Sequence, residues 1–144
     1  MKDKDKQRKQ TAQIGEAGVH FVVSELCRKG WIALPTTRNT RGVDVIVMRP
    51  DSLDFRALEV KSSHKPVKFW PVGAGWMPSS NFIFIFVRPQ KKAEGSPFEA
   101  FVVSSKRVHK ERTKPQGRWP GSWHVPKDDR ALHVLHNNWN SIWQ

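Results

Sequence analysis

Three polar residues break otherwise apolar runs in the first half of this chain, and their types are those that handle phosphate chemistry. Asp44 interrupts Val43-Asp44-Val45-Ile46-Val47-Met48, and Glu59 and Lys61 flank Val60 near the end of the run from Phe55 to Ser62. If both runs are strands, period-two alternation sets Glu59 and Lys61 on one face and turns Leu58 and Val60 to the other. The 14 residues between Asp44 and Glu59 leave room for the two strands to pair as a hairpin. Two carboxylates brought together repel unless a cation joins them. Hard oxygen ligands with room for water and phosphate oxygens suit Mg²⁺, with Mn²⁺ as a substitute. Such a cation offsets charge on a scissile phosphate and lowers the pKa of a bound water, while a neighbouring lysine orients or deprotonates that water. The competing reading makes Glu59 and Lys61 a salt-bridged pair and Asp44 a strand-edge residue.

The elements that must position these groups can be traced along the chain. From Thr11 to Lys29, Ala12, Gly15, Val19, Val22, Val23 and Leu26 recur at helical spacing, and Gly30 supplies a stop. Glu16 lies near the start of that stripe, where it is either a further acid for the site or a complement to the helix dipole. Cys27 falls within the same pattern and is expected to pack. Residues 1–10 carry alternating charge without an apolar face and read as a flexible basic arm or a frayed helical extension, ahead of a single domain over 11–144. Strands are expected at Trp31 to Thr37, at Val43 to Met48 and at Phe55 to Ser62, the first two separated by the basic turn Arg38-Asn39-Thr40-Arg41-Gly42. Residues 63–80 are rich in Pro, Gly and Ser without periodicity and read as loop. Asn81 to Val87 and Phe98 to Val103 complete the strands, Ser104 to Arg112 reads as a short basic helix, and His136 to Trp143 as a terminal one. The expected architecture is α/β or α+β, a mixed central sheet flanked by helices.

Twenty-five Lys and Arg against 13 Asp and Glu leave a net charge of +12, which favours a polyanionic partner and makes nucleic acid the leading candidate. Arg38, Arg41, Lys65 and Lys68 bracket the proposed site and would supply sequence-independent phosphate contacts. Trp70 and Trp76 either stack on bases or fill the core. A single cysteine excludes an intramolecular disulfide, the first ten residues hold no apolar stretch suited to a signal peptide, and no window is apolar enough for a membrane span. A cytoplasmic location is the expectation. His124, His133 and His136 lack cysteine partners or a repeated ligand spacing and make a poor zinc set.

Gly42-Val43-Asp44 followed by Glu59-Val60-Lys61-Ser62 resembles the signature of the PD-(D/E)XK nuclease superfamily, including its archaeal Holliday-junction-resolvase-like and restriction-endonuclease-like branches. The likeness spans roughly residues 11–62, with Val43 where the superfamily name has proline, and the helix bearing Gly15-Glu16 is similar to the preceding helix that often donates a further acid. The resemblance implies a restriction-endonuclease-like core of a helix, a three-strand meander, a crossover and a further strand. It also implies Mg²⁺-dependent hydrolysis of DNA. Asp44 and Glu59 would then be the metal-binding acids, Lys61 the catalytic base or water-orienting residue, Glu16 a helper and the Val60 carbonyl an extra ligand. Cutting a duplex would suit a homodimer with two sites. The alternative is a noncatalytic nucleic-acid-binding module that keeps the nuclease fold.

Overall fold

The computed structural model describes residues 2–37, 42–91 and 97–144. Its first helix, α1, runs from Lys2 to Arg28 and therefore absorbs the expected arm as well as the expected helix. Lys, Gln and Arg are good helix formers, and Asp3 and Asp5 in the first turn complement the dipole, so this polar stretch continues the helix without any packing. The arm stays solvated: residues 2–13 are all exposed, including Ala12. Packing begins only at Gly18, and Gly18, Val22 and Leu26, four residues apart, are the buried positions of α1. Cys27 falls on the solvent side and is exposed, contrary to expectation, because the stripe ends one residue earlier at Leu26.

The sheet contains β1 (Ile32–Pro35), β2 (Val45–Met48), β3 (Phe55–Ser62), β5 (Phe82–Pro89) and β6 (Phe98–Ser104), in the order β1-β2-β3-β5-β6. All neighbours are antiparallel except β3 and β5, which pair in parallel from Ala57 opposite Phe82 to Ser62 opposite Val87. A parallel step needs a crossover. Here it is the segment 63–81, which forms no helix but carries a short strand, β4 (Phe69–Pro71). β4 pairs with β7 (Ser122–His124), another strand hidden in a stretch of breakers, to make a separate two-stranded sheet.

Side-chain alternation divides the core between the two faces of the large sheet. On one face α1 covers Val45, Val47, Leu58, Ile83, Ile85, Val87, Ala100 and Val102, and the C-terminal 3-10 helix Trp139–Trp143 closes that layer with Trp139 and Ile142. Arg49 and Arg56 stand over the Trp143 ring at 4.5 and 5.2 Å and tie the C-terminus to the β2–β3 hairpin. On the other face Phe84, Phe86, Phe101 and Val103 pack against Trp70, Trp123, Val108 and Leu135. Trp70 is thus a core residue. The terminal helix expected from His136 is shorter than anticipated, because Asn137 adopts a left-handed φ of 49° that interrupts the backbone. α2 (Ser105–Glu111) matches the expected basic helix and is capped by the Ser104 side chain, whereas α3 (Asp129–His133) was not apparent in the sequence. The architecture is α+β, with a helix on one face and an aromatic layer of strands and a short helix on the other. Among the described residues no helix is long and apolar enough to cross a membrane.

Candidate active site

The site forms where β2 stops pairing with β3. The Asp44 amide donates to the Leu58 carbonyl at 2.8 Å, although the Cα partner of Leu58 is Val45. Two residues of one strand therefore oppose one of the next, as in a β-bulge, which re-aims a side chain and ends a ladder. The Asp44 carboxylate then replaces the missing strand. Its Oδ2 accepts a hydrogen bond from the Val60 amide at 2.7 Å. An extended residue turns its N–H and its carbonyl to the same strand edge, so the Val60 carbonyl also faces this fork. The resemblance implies a role for Val60 only through its carbonyl, and nothing in the sequence signals the amide that anchors Asp44.

Glu59 and Lys61 lie on the face of β3 away from α1, since Leu58 and Val60 pack in the layer beneath that helix. Their side chains form an ion pair, Lys61 Nζ to Glu59 Oε1 at 2.6 Å. The salt bridge expected from the competing reading is therefore present. The pair is also well shielded, with 12% of the Glu59 side chain and 28% of Lys61 exposed. A surface ion pair in such shielding is held more firmly than a solvated one.

Glu16 is drawn towards the same fork by close packing of α1 on β3. A Cβ at Gly18 would lie 2.8 Å from the Ser62 Cβ and collide with the Ser62 hydroxyl, so only glycine allows this approach. Because α1 begins at Lys2, Glu16 stands about four turns into the helix, beyond the first turn in which an acid offsets the dipole. The dipole explanation for Glu16 is thereby removed. Its carboxylate is partly exposed, lies 3.6 Å from His20 Nε2, and acts electrostatically on Asp44.

Asp44 is where these influences meet. Burial pushes its pKa above the ordinary 3.8 and the Glu16 charge adds to that, while the Val60 amide and the Lys61 ammonium pull in the opposite direction. A cation at the fork would relieve what burial and Glu16 impose. Carboxylate and strand-carbonyl oxygens are hard donors of the kind such a cation takes. Among the described residues no group of three or more His, Cys, Asp or Glu side chains is placed to hold a metal ion.

Lys65 and Lys68 are exposed on the turn after β3. The Lys65 carbonyl accepts from Ser63 Oγ at 2.7 Å, and the Lys68 carbonyl from the Val125 amide at 2.8 Å, so their backbone is fixed while their ammonium groups face solvent. Arg38 and Arg41 lie outside the described residues. His136 pairs with Glu99 and His124 meets Ser122, so these two histidines serve separate contacts. No family model matches this chain, and searches of curated proteins and of solved structures likewise return no match.

Proposed function

We propose that this chain is a Mg²⁺-dependent endonuclease that hydrolyses DNA phosphodiester bonds through Asp44, Glu59 and Lys61, with Glu16 as an accessory acid. The observation that carries the reading is the strand-end fork, where the Asp44 carboxylate is pinned to the Val60 amide and feels the charge of the Lys61 ammonium, itself bound to Glu59. The order helix, three-strand meander, crossover and parallel strand, with one acid just before the second strand and the other on the third, accords with a restriction-endonuclease-like core.

In this reading Asp44, Glu59 and the Val60 carbonyl would hold the metal. Bound there, Mg²⁺ would supply Lewis-acid stabilisation of the phosphate and acidify a water. The chain's own residues do the rest. Val60 fixes the Asp44 rotamer through its amide, so little reorganisation is needed when charge develops. Lys61, an ammonium, exchanges Glu59 for phosphate or water and orients the attacking water. Lys65 and Lys68 contact flanking phosphates, within a chain whose net charge is +12. A homodimer would provide two such sites for the two strands of a duplex.

A second reading rests on the same ion pair. If Lys61 never leaves Glu59, the fold serves as a noncatalytic nucleic-acid-binding module. Nicking and linearisation of plasmid and branched DNA in Mg²⁺ and in Mn²⁺ separates the two. The nuclease reading expects cleavage by the wild type that Asp44→Ala and Lys61→Ala abolish. DNA binding without cleavage in either metal sinks it and leaves the binding module.

A further inference from the structure

A cleft of about 590 Å³ opens directly beside the Glu59–Lys61 pair. That is within the roughly 300–1,000 Å³ of small-ligand sites. Glu59 and Lys61 form one side of it, and the crossover loop after β4 forms the other, with Trp76 and, from β5, Phe82 among its walls. The loop passes so close that a Cβ at Gly73 would sit 3.8 Å from Lys61 Nζ.

This wall is built rather than slack. Gly73 and Gly75 take left-handed φ values of 72° and 83°, which fold the loop back on itself. The Trp76 indole N–H donates to the Gly73 carbonyl at 3.2 Å, and the Val72 amide to the Gly121 carbonyl at 3.2 Å. Ser79 exchanges two hydrogen bonds with the buried Ser105 hydroxyl, at 2.9 and 2.8 Å, which anchors the loop to α2. The Trp76 ring is held edge-on by Phe84 at 4.9 Å, and the Arg112 guanidinium lies 5.0 Å from its centre. Gly73, Ala74 and Gly75 keep this part of the lip small, and the exposed Met77 side chain adds a flexible apolar edge beside Trp76.

With the Lys61–Glu59 ion pair at one end, whose ammonium can turn from the carboxylate to a phosphate, and an aromatic, apolar wall at the other, the site matches the two halves of a nucleotide, an anionic phosphate and a flat base. A base inside a duplex is stacked on both sides and cannot enter such a cleft. It must first be unstacked. We infer that the cleft between Lys61 and Trp76 receives the base of an unpaired nucleotide, so that the preferred substrate is single-stranded or locally unpaired beside the scissile phosphate. The choice of substrate rests on the nuclease reading above, while base binding in the cleft can be measured independently of cleavage.

The test titrates the full chain, without divalent metal, against three duplexes of one sequence. One carries a bulged 2-aminopurine, one an abasic bulge at the same position, and one is fully paired. Binding of the 2-aminopurine bulge is expected to be about five- to tenfold tighter than that of either other duplex, within the range for a base–aromatic contact, and its emission should change on binding. Ala74→Trp, which fills the cleft from its lip and leaves the Trp76 packing in place, and Trp76→Ala should each erase that advantage. Equal binding of the three duplexes, or an advantage that survives Ala74→Trp, overturns the inference. Equal cleavage of paired and bulged duplexes in Mg²⁺ overturns the substrate preference while the nuclease reading stands. A base preference lost in Ala74→Trp without any cleavage upholds the cleft and removes the nuclease reading.

Discussion

The Asp44 carboxylate accepts the Val60 amide at 2.7 Å and so completes with a side chain the ladder that β2 leaves unfinished. One contact thereby joins the end of a strand, the neighbour of both Glu59 and Lys61, and the group whose pKa is most clearly shifted among the described residues.

Asp44→Asn keeps an oxygen for the Val60 amide and removes the buried charge. Because burial raises the Asp44 pKa in the folded state, the folded chain holds that proton more tightly than the unfolded one does. Asp44 therefore favours folding below its ordinary pKa of 3.8 and opposes it increasingly as pH rises through the raised value. Thermal unfolding of Asp44→Asn should show a higher Tm than wild type at pH 7. Each 1 kcal/mol reads as about 2–4 °C for a chain of this size, and the gain should vanish on acidification. Cleavage should fall by at least about 100-fold. A lower Tm at pH 7 would contradict the burial argument.

In the nuclease reading Lys61 and a cation would compete for Glu59. Lys61→Met should bind Mn²⁺ more tightly than wild type, measured by calorimetry, while reducing cleavage by about 10²–10³-fold, the scale for losing one charge-stabilising group. Weaker Mn²⁺ binding in Lys61→Met would mean that Glu59 is not a ligand.

Glu16 raises the pKa of Asp44 by like charge, so Glu16→Gln should move the acid limb of the pH–rate profile to lower pH. A purely structural Glu16 would leave that limb in place. If Glu16 also helps to hold the metal, the Mg²⁺ concentration for half-maximal rate rises in the same variant.

Gly18 sets the distance between α1 and β3. Gly18→Ala should destabilise by about 1–3 kcal/mol through overpacking against Ser62, and it should lower activity by shifting Glu16. Adding Ser62→Gly makes room for the new methyl and should restore part of both losses. Independent effects in a double-mutant cycle would refute the contact-based account.

Much of this geometry was legible in local sequence. Alternation alone separates Glu59 and Lys61 from Leu58 and Val60, and the apolar runs at 45–48, 55–62, 82–87 and 98–103 are strands because their side chains are buried on one or both faces. The N-terminal start of α1 was legible only as one of two alternatives, arm or helical extension, since a solvated helix has no apolar period to decide between them. β4 and β7 were hidden for a different reason. Each has three residues and exists only because the other lies beside it, with Trp70 opposite Trp123.

By itself the sequence determined which residue types recur at which spacing: a basic chain, a helix followed by strands, and an acid, acid and lysine set within two neighbouring apolar runs. Tertiary structure alone decided that β3 and β5 run in parallel across a crossover without a helix, that Asp44 closes on the Val60 amide, and that Gly18 lets Glu16 approach. It also decided that Trp76, rather than the buried Trp70, lines the cleft beside Lys61. Periodicity reports which face of an element is buried. Distances between residues far apart in the chain follow only once those faces have packed against one another.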